Sequence, residues 1–203
     1  EAVREAAKQE IIRRYYRAKV DYAKGRTDEE TVQKTEMVMK SLDLSPEDRR
    51  VVRPALERAE QTGCPAFAIE LPDGTVVTGK TGPLLGAASS ALLNALKKLA
   101  GIDQELDLVS AAAIEPIQTL KTNYLGGKNP RLHTDEILIA LSSSAASSEL
   151  AAAAMHQLPN LKGCDVHSTV LLSSVDSSTL NRLGMYLTCD PVYEEEDRKY
   201  HKL

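Results

Sequence analysis

The stretch Ala66-Phe67-Ala68-Ile69-Glu70-Leu71-Pro72-Asp73-Gly74-Thr75-Val76-Val77-Thr78 decides the fold. A short apolar run, Ala66 to Leu71, meets Pro72-Asp73-Gly74-Thr75, and β-branched residues follow. Asp-Gly between two such runs is a strong short-range hairpin signal, because glycine accepts the positive φ of a tight turn. The pattern predicts an antiparallel pair with Thr75 to Thr78 as the returning strand. Leu85, Ala88, Leu92, Leu96 and Leu99 then recur at helical spacing, and Gly101 closes that helix.

Strand and helix patterns alternate further on. The sequence predicts a helix around Pro116 to Tyr124 and another from Glu136, capped by Thr134 or Asp135. Val166 to Val175, rich in Val, Thr and Leu, reads as a strand. Asp176 caps a short helix ending at Gly184, and Met185 to Cys189 is a last strand. This alternation predicts an α/β layer architecture, and the hairpin makes the sheet mixed.

The front of the chain reads as helices. Ala7, Ile11, Tyr15, Ala18 and Tyr22 form one stripe, stopped at Gly25. Thr27 and Glu30 form a capping box ahead of Val32, Thr35, Met39 and Leu42. Ser45-Pro46-Glu47-Asp48 starts a further helix, which Pro54 is expected to kink or restart. Residues 1–63 carry 14 Lys/Arg and 13 Asp/Glu, whereas 64–203 carry 11 and 16. That change places a boundary at Gly63, between a helical segment (1–63) and an α/β domain (64–203).

Composition excludes several classes. A net charge of −4 over 203 residues lacks the basic excess of a nucleic-acid binder. One Phe, seven Tyr and no Trp give little stacking surface for single strands. A hydrophobic fraction of 42% supports a packed core. The most apolar stretch, Ile137 to Leu161, carries five Ser and Glu149, too polar for a membrane span. Three cysteines, no N-x-Ser/Thr acceptor and no signal peptide point to the cytoplasm.

Two stretches invite a chemical reading. Gly74-Thr75-Val76-Val77-Thr78-Gly79-Lys80-Thr81 satisfies the G-x-x-x-x-G-K-[ST] nucleotide pattern. Its interior favours a strand, Asp73-Gly74 is already the hairpin turn, and Pro83 sits where a helix should run. ATP is therefore not expected, although Lys80 and Thr81 near a helix N-terminus could attract an anion. The second stretch runs from Lys121 to Glu136. Two glycines loosen its backbone, and Lys128, Asn129 and Arg131 suit a phosphate or carboxylate. His133 titrates near neutral pH and could serve as acid or base, oriented by Asp135 or Glu136. The plainer reading is a surface loop with a helix cap.

Zinc is not expected: no two Cys are close, there is no H-x-E, and the four His share no ligand spacing. No G-x-S-x-G or S-x-x-K marks a serine hydrolase.

Longer motifs carry a family resemblance. Val77-Thr78-Gly79-Lys80-Thr81-Gly82-Pro83-Leu84-Leu85-Gly86-Ala87, then Leu92-Leu93-Asn94-Ala95-Leu96-Lys97, resembles the bacterial domain-of-unknown-function 1846 family. So do Gly127 to Glu136 and Leu161-Lys162-Gly163-Cys164. The match covers 64–203, and 1–63 is similar to the helical segment preceding that domain. The resemblance implies a three-layer α/β domain with cytidine-deaminase-like topology. Deaminases carry zinc ligands at the start of the helix after the hairpin, where this chain has Pro83-Leu84-Leu85-Gly86-Ala87. It implies no catalytic residue.

Family members are larger, the first residue is not Met, and the chain opens inside a charged helical pattern. These features raise the expectation of a missing N-terminal domain of the same chain, which could complete a site. Two functions stay open. One is binding or turnover of an anionic small molecule, phosphate or nucleotide-like, through Lys80, Thr81, Lys128, Asn129, Arg131, His133 and Asp135. The other is a structural or homo-oligomerisation role, suggested by the Ala/Ser-rich stretch Ala140 to Ala154.

Overall fold

In the computed structural model, which describes residues 2–194, the hairpin forms where the sequence places it. Strand β1 (Ala66–Glu70) pairs antiparallel with β2 (Val76–Lys80), Ala66 opposite Lys80 and Glu70 opposite Val76. Gly74 takes the positive φ of the turn, and Asp73 Oδ1 accepts the Thr75 amide at 2.9 Å. Arg50 fastens the turn from outside, donating to Glu70 at 2.6 Å and to the Gly74 carbonyl at 3.2 Å. Gly74 to Thr81 is thus a turn and a strand rather than a phosphate loop.

The remaining strands, β3 (Asp165–Ser168) and β4 (Tyr186–Cys189), complete a four-stranded mixed sheet of order β2-β1-β3-β4. β1 is antiparallel to both of its neighbours, and β3 runs parallel to β4. The strand expected over 166–175 stops at Ser168, because both strands beside β3 end there. Ser168 pairs with Cys189, the last residue of β4, and the Thr169 amide bonds the Ala66 carbonyl at the start of β1.

Alternation splits the sheet into two buried faces. Phe67, Ile69 and Val166 point to one core, shared with α4 (Ala87–Ala100), α6 (Thr134–Ala145), α7 (Glu149–Met155) and α8 (Ser174–Arg182). Ala68 faces the other way, against Val51 and Ala55, the latter on α3 (Val52–Thr62). Beyond it Ile12 and Tyr16 of α1 (Ala2–Ala23) pack with Met39 of α2 (Glu29–Ser41), Leu44 and Val52. The result is helices on both sides of a mixed sheet. The helix over 111–119, α5 (Ala111–Thr119), runs into a wider turn at Leu120–Tyr124.

Gly79 marks how tightly α4 lies on β2. A Cβ there would sit 2.2 Å from the Ala91 backbone nitrogen, so only glycine lets the helix approach.

Details of the front helices differ from the sequence reading. The buried residues of α1 are Ile12, Tyr16 and Ala18: Ala18 belongs to the expected stripe, Ile12 and Tyr16 lie one position along from Ile11 and Tyr15, which are partly buried, and Tyr22 is exposed. Asp28, not Thr27, caps α2, accepting the Thr31 amide at 2.9 Å. Of the two outcomes expected at Pro54, the restart is found: the short helix Pro46–Asp48 ends, and α3 begins anew with Pro54 in its first turn, where its missing N–H has no partner to lose. The small residues Ala140, Ala151 and Ala154 are buried in this chain's own core.

One side chain ties the front helices to the sheet. Arg49 is fully buried, and its guanidinium meets Asp165 at 2.8 Å. It also donates to Thr188 Oγ1 at 3.0 Å and to the carbonyls of Val166, at 3.3 Å, and Tyr186. Burial lowers the guanidinium pKa and the Asp165 carboxylate opposes that, leaving a charged group in the interior. Removing one partner of such a pair strands the other. Arg49→Ala is expected to lower unfolding stability by about 3–5 kcal/mol. Urea denaturation measures this, and Arg50→Ala, on the exposed side, should cost about 1 kcal/mol or less.

Candidate functional site

Three helix N-termini meet at one small cavity. Gly86, Ala87, Ala88 and Ser89 open α4, His133 precedes α6, and Ser173 and Asp176 begin α8; all line it. Thr81, Asn129, Arg131, Leu132, the loop Val170 to Leu172 and Glu194 complete the wall around about 50 Å³. The loop from 127 to 133 is held at Leu132, whose amide bonds the Leu84 carbonyl at 2.9 Å and whose carbonyl accepts Ser89 Oγ at 3.0 Å.

Asp176 organises the cavity. Its Oδ1 accepts the Thr134 amide at 2.8 Å and the Thr134 hydroxyl at 2.9 Å. Its Oδ2 accepts Ser173 Oγ at 2.9 Å and faces His133 Nδ1 at 2.9 Å. A carboxylate facing Nδ1 requires a proton on that nitrogen, so neutral His133 has a bare Nε2. Among the described residues Nε2 has no hydrogen-bond partner. The bond to Asp176 raises the His133 pKa, against burial and the Lys121 charge, which lower it. Burial raises the Asp176 pKa, but the bonds from His133, Thr134 and Ser173 outweigh that and leave it low.

Of the residues picked from sequence, the structure brings Thr81, Asn129, Arg131 and His133 together. Arg131 Nη1 pairs with Glu194 at 2.8 Å, and Asn129 Oδ1 accepts the Arg131 amide at 3.1 Å. Lys80 and Lys128 do not join them. Lys80 lines a different cavity, with Arg58, Asn94 and Lys97, because neighbouring positions on an extended chain point to opposite sides. Lys128 is exposed and off the wall.

Asp135 does not orient His133; it accepts the Glu136 amide at 2.8 Å. Glu136 accepts the His133 amide at 2.7 Å and the Lys121 ammonium at 2.8 Å, closing a capping box. The helix cap is therefore His133 itself rather than Thr134 or Asp135. Sequence reading missed Asp176 as its partner, as well as Ser173 and the start of α4. The visible signal for Asp176 was an acid at a helix start; its pairing across 43 residues was not visible. Among the described residues no group of three His, Cys, Asp or Glu is placed to hold a metal ion.

Residues 47–199 match the family model described as Domain of unknown function DUF1846, C-terminal, and residues 1–43 match its N-terminal counterpart. The chain belongs to the DUF1846 family. It is 55% identical to a UPF0371 protein of Corynebacterium urealyticum, over 95% of this chain and 39% of that protein. A UPF0371 protein of Streptococcus thermophilus is 48% identical over 100% of this chain and 41% of its own length. The DUF1846 chain described here thus spans about two fifths of those relatives. The expectation of a missing N-terminal domain is corrected. Residues 1–43 match the family's N-terminal model, and relatives align over 95% or more of the chain.

The pKa directions set a pH window. His133, raised from 6.5, contributes stability that is complete below 6.5 and lost as pH climbs through its raised value. Asp176, lowered from 3.8, contributes stability that is complete above 3.8 and lost as pH falls through its lowered value. The pair therefore stabilises most between those two ordinary values. Proton NMR titration should give His133 a pKa above 6.5, falling in Asp176→Asn. An unchanged value in that variant would remove the coupling.

Proposed function

We propose that this protein binds an anionic small molecule at the cavity between α4, α6 and α8, with His133 as its proton-transfer group. One observation carries the reading: His133 is anchored through Nδ1 to Asp176 while Nε2 stays unbonded at a wall shared with Arg131. A histidine so oriented by a carboxylate suits general acid–base work. Arg131, Thr81 and the first amides of α4 supply the positive lining, and convergent helix dipoles favour negative charge. The Arg131–Glu194 ion pair then opens on binding as Arg131 exchanges one anion for another.

The sheet order, with β1 antiparallel to both neighbours, supports a cytidine-deaminase-like topology, as does the hairpin leading into α4. In that topology chemistry sits at the start of the helix after the hairpin, which is here the cavity wall. The residues there, Gly86 and Ala87, supply amides in place of metal ligands. A cytoplasmic setting is supported by three free thiols, two of which burial pushes up to about 11 (Cys164) and about 12 (Cys189). A structural or oligomeric role is the second reading, favoured by the exposed apolar side chains of Tyr124, Leu125 and Ile139. Light scattering that finds a monomer argues against it.

The binding reading is tested by thermal shift against inorganic phosphate, nucleoside monophosphates, sugar phosphates and carboxylates. At least one should raise the melting temperature, and Arg131→Ala should weaken its binding about tenfold or more. His133→Gln should move any turnover more than it moves binding. Stabilisation by none of them would remove the proposal.

A further inference from the structure

The first turn of α4 lacks the protection given to its neighbours. Gly86 stands at its N-cap with φ −70° and ψ 163° and supplies no side-chain cap. The first amide to bond back along the helix is Ser90, to the Gly86 carbonyl at 3.0 Å. The amides of Ala87, Ala88 and Ser89 come before it, and among the described residues none has an acceptor. These residues are buried, and buried amides call for an acceptor. At α6 the protein provides one, Asp176 for Thr134; at α8 Ser173 accepts the Asp176 amide.

A second, independent feature points at the same place. Thr81 is only 7% exposed and lines the cavity, yet its hydroxyl bonds no described residue. It reaches the cavity from the end of the hairpin, on a different element from α4. An unpartnered hydroxyl on a buried residue, beside unmatched amides, gives this side of the cavity a set of donors, while Asp176 and Glu194 stand elsewhere on the same wall.

Resting on the reading that this cavity takes an anion, we infer that the α4 N-terminus and Thr81 seat the phosphoryl group of a phosphomonoester. The donors come from three sides: the α4 amides, the Thr81 hydroxyl, and the Arg131 side chain, joined by His133 Nε2 when the imidazole is protonated. Three directions suit the three terminal oxygens of a phosphoryl group, whereas a planar carboxylate offers two oxygens in one plane. The cavity, about 50 Å³, is on the scale of a small headgroup. Val170, Leu171 and Leu172 on the same wall offer apolar contact to the organic part of the ligand. No bond is made or broken in the seat itself.

The test uses a substitution that should not harm folding. Gly86 already has N-cap dihedrals, and a Cβ on it would meet nothing within 4 Å. In Gly86→Asp the new carboxylate caps α4 and occupies the amides. The ligand-free melting temperature should hold or rise, while affinity for inorganic phosphate and phenyl phosphate falls about tenfold or more by calorimetry. Thr81→Val should weaken the same two probes with an unchanged fold by circular dichroism. Benzoate, a carboxylate control, should bind wild type more weakly than phenyl phosphate.

Benzoate binding as tightly as phenyl phosphate overturns the assignment. So does unchanged phosphate binding in both variants. If those variants keep phosphate while Arg131→Ala loses it, the seat is wrong and the anion reading of the cavity stands. If wild type binds no anion, both fall.

Discussion

A single buried charge constrains how the front of this chain meets its sheet. Arg49 has no access to solvent, so every donor of its planar fork needs an acceptor inside the protein. The acceptors come from both parallel strands: Asp165 and Val166 on β3, Tyr186 and Thr188 on β4. A sliding of α3 along the sheet would strip several of them at once. The same Asp165 carboxylate lies 3.7 Å from Arg13 of α1, whose guanidinium covers the Tyr186 ring. Thr188 passes the network on to the buried ring of His167, 2.9 Å away, which in turn packs beside Tyr16. Hydrophobic packing of Ile12, Tyr16 and Val52 brings the helices to the sheet; the Arg49 network fixes their register.

With β3 and β4 fixed, the opposite face has a defined edge for the helices that form the cavity. The α8 crossover must return from β3 to β4, and this sets Ser173 and Asp176 beside the start of α6. Asp176 then does for α6 what an N-cap side chain would do, but from another helix. That arrangement draws a carboxylate out of water and stabilises it with hydrogen bonds from Thr134, Ser173 and His133. The histidine gains a fixed tautomer as a consequence. Two helix starts are thus matched by Asp176 and Ser173, while α4 keeps its amides turned to the cavity. Local stability and binding capacity are divided among three helix ends at one point.

Much of the fold was legible because it rests on local chemistry. Asp73-Gly74 places the hairpin turn, and the leucines from Leu92 to Leu99 with Gly101 place α4. The errors are equally physical. Hydrophobic character continues past Ser168, so a strand looks longer than the sheet that can pair it. The α1 stripe kept Ala18 but moved one position at Ile12 and Tyr16, because Ile11 and Ile12, and Tyr15 and Tyr16, are adjacent pairs of nearly equal hydrophobicity. Only the partner surface chooses between them. Of the site, His133 and Arg131 were visible as polar residues in a glycine-bearing loop, whereas Lys80 was selected by a motif that the strand geometry turns aside.

The sequence alone determined the element types, the mixed α/β character and the loop where polar chemistry gathers, because turns, caps and periodicity act between neighbouring residues. Family membership was legible in the same way, from contiguous motifs. Tertiary structure decided which of those residues share a cavity. The His133–Asp176 pair, the placing of Thr81 over the start of α4 and the insertion of Arg49 between two strands all join distant residues. Those encounters depend on how the helices cross the sheet, and that crossing is set by packing and by the need to satisfy every buried polar group together.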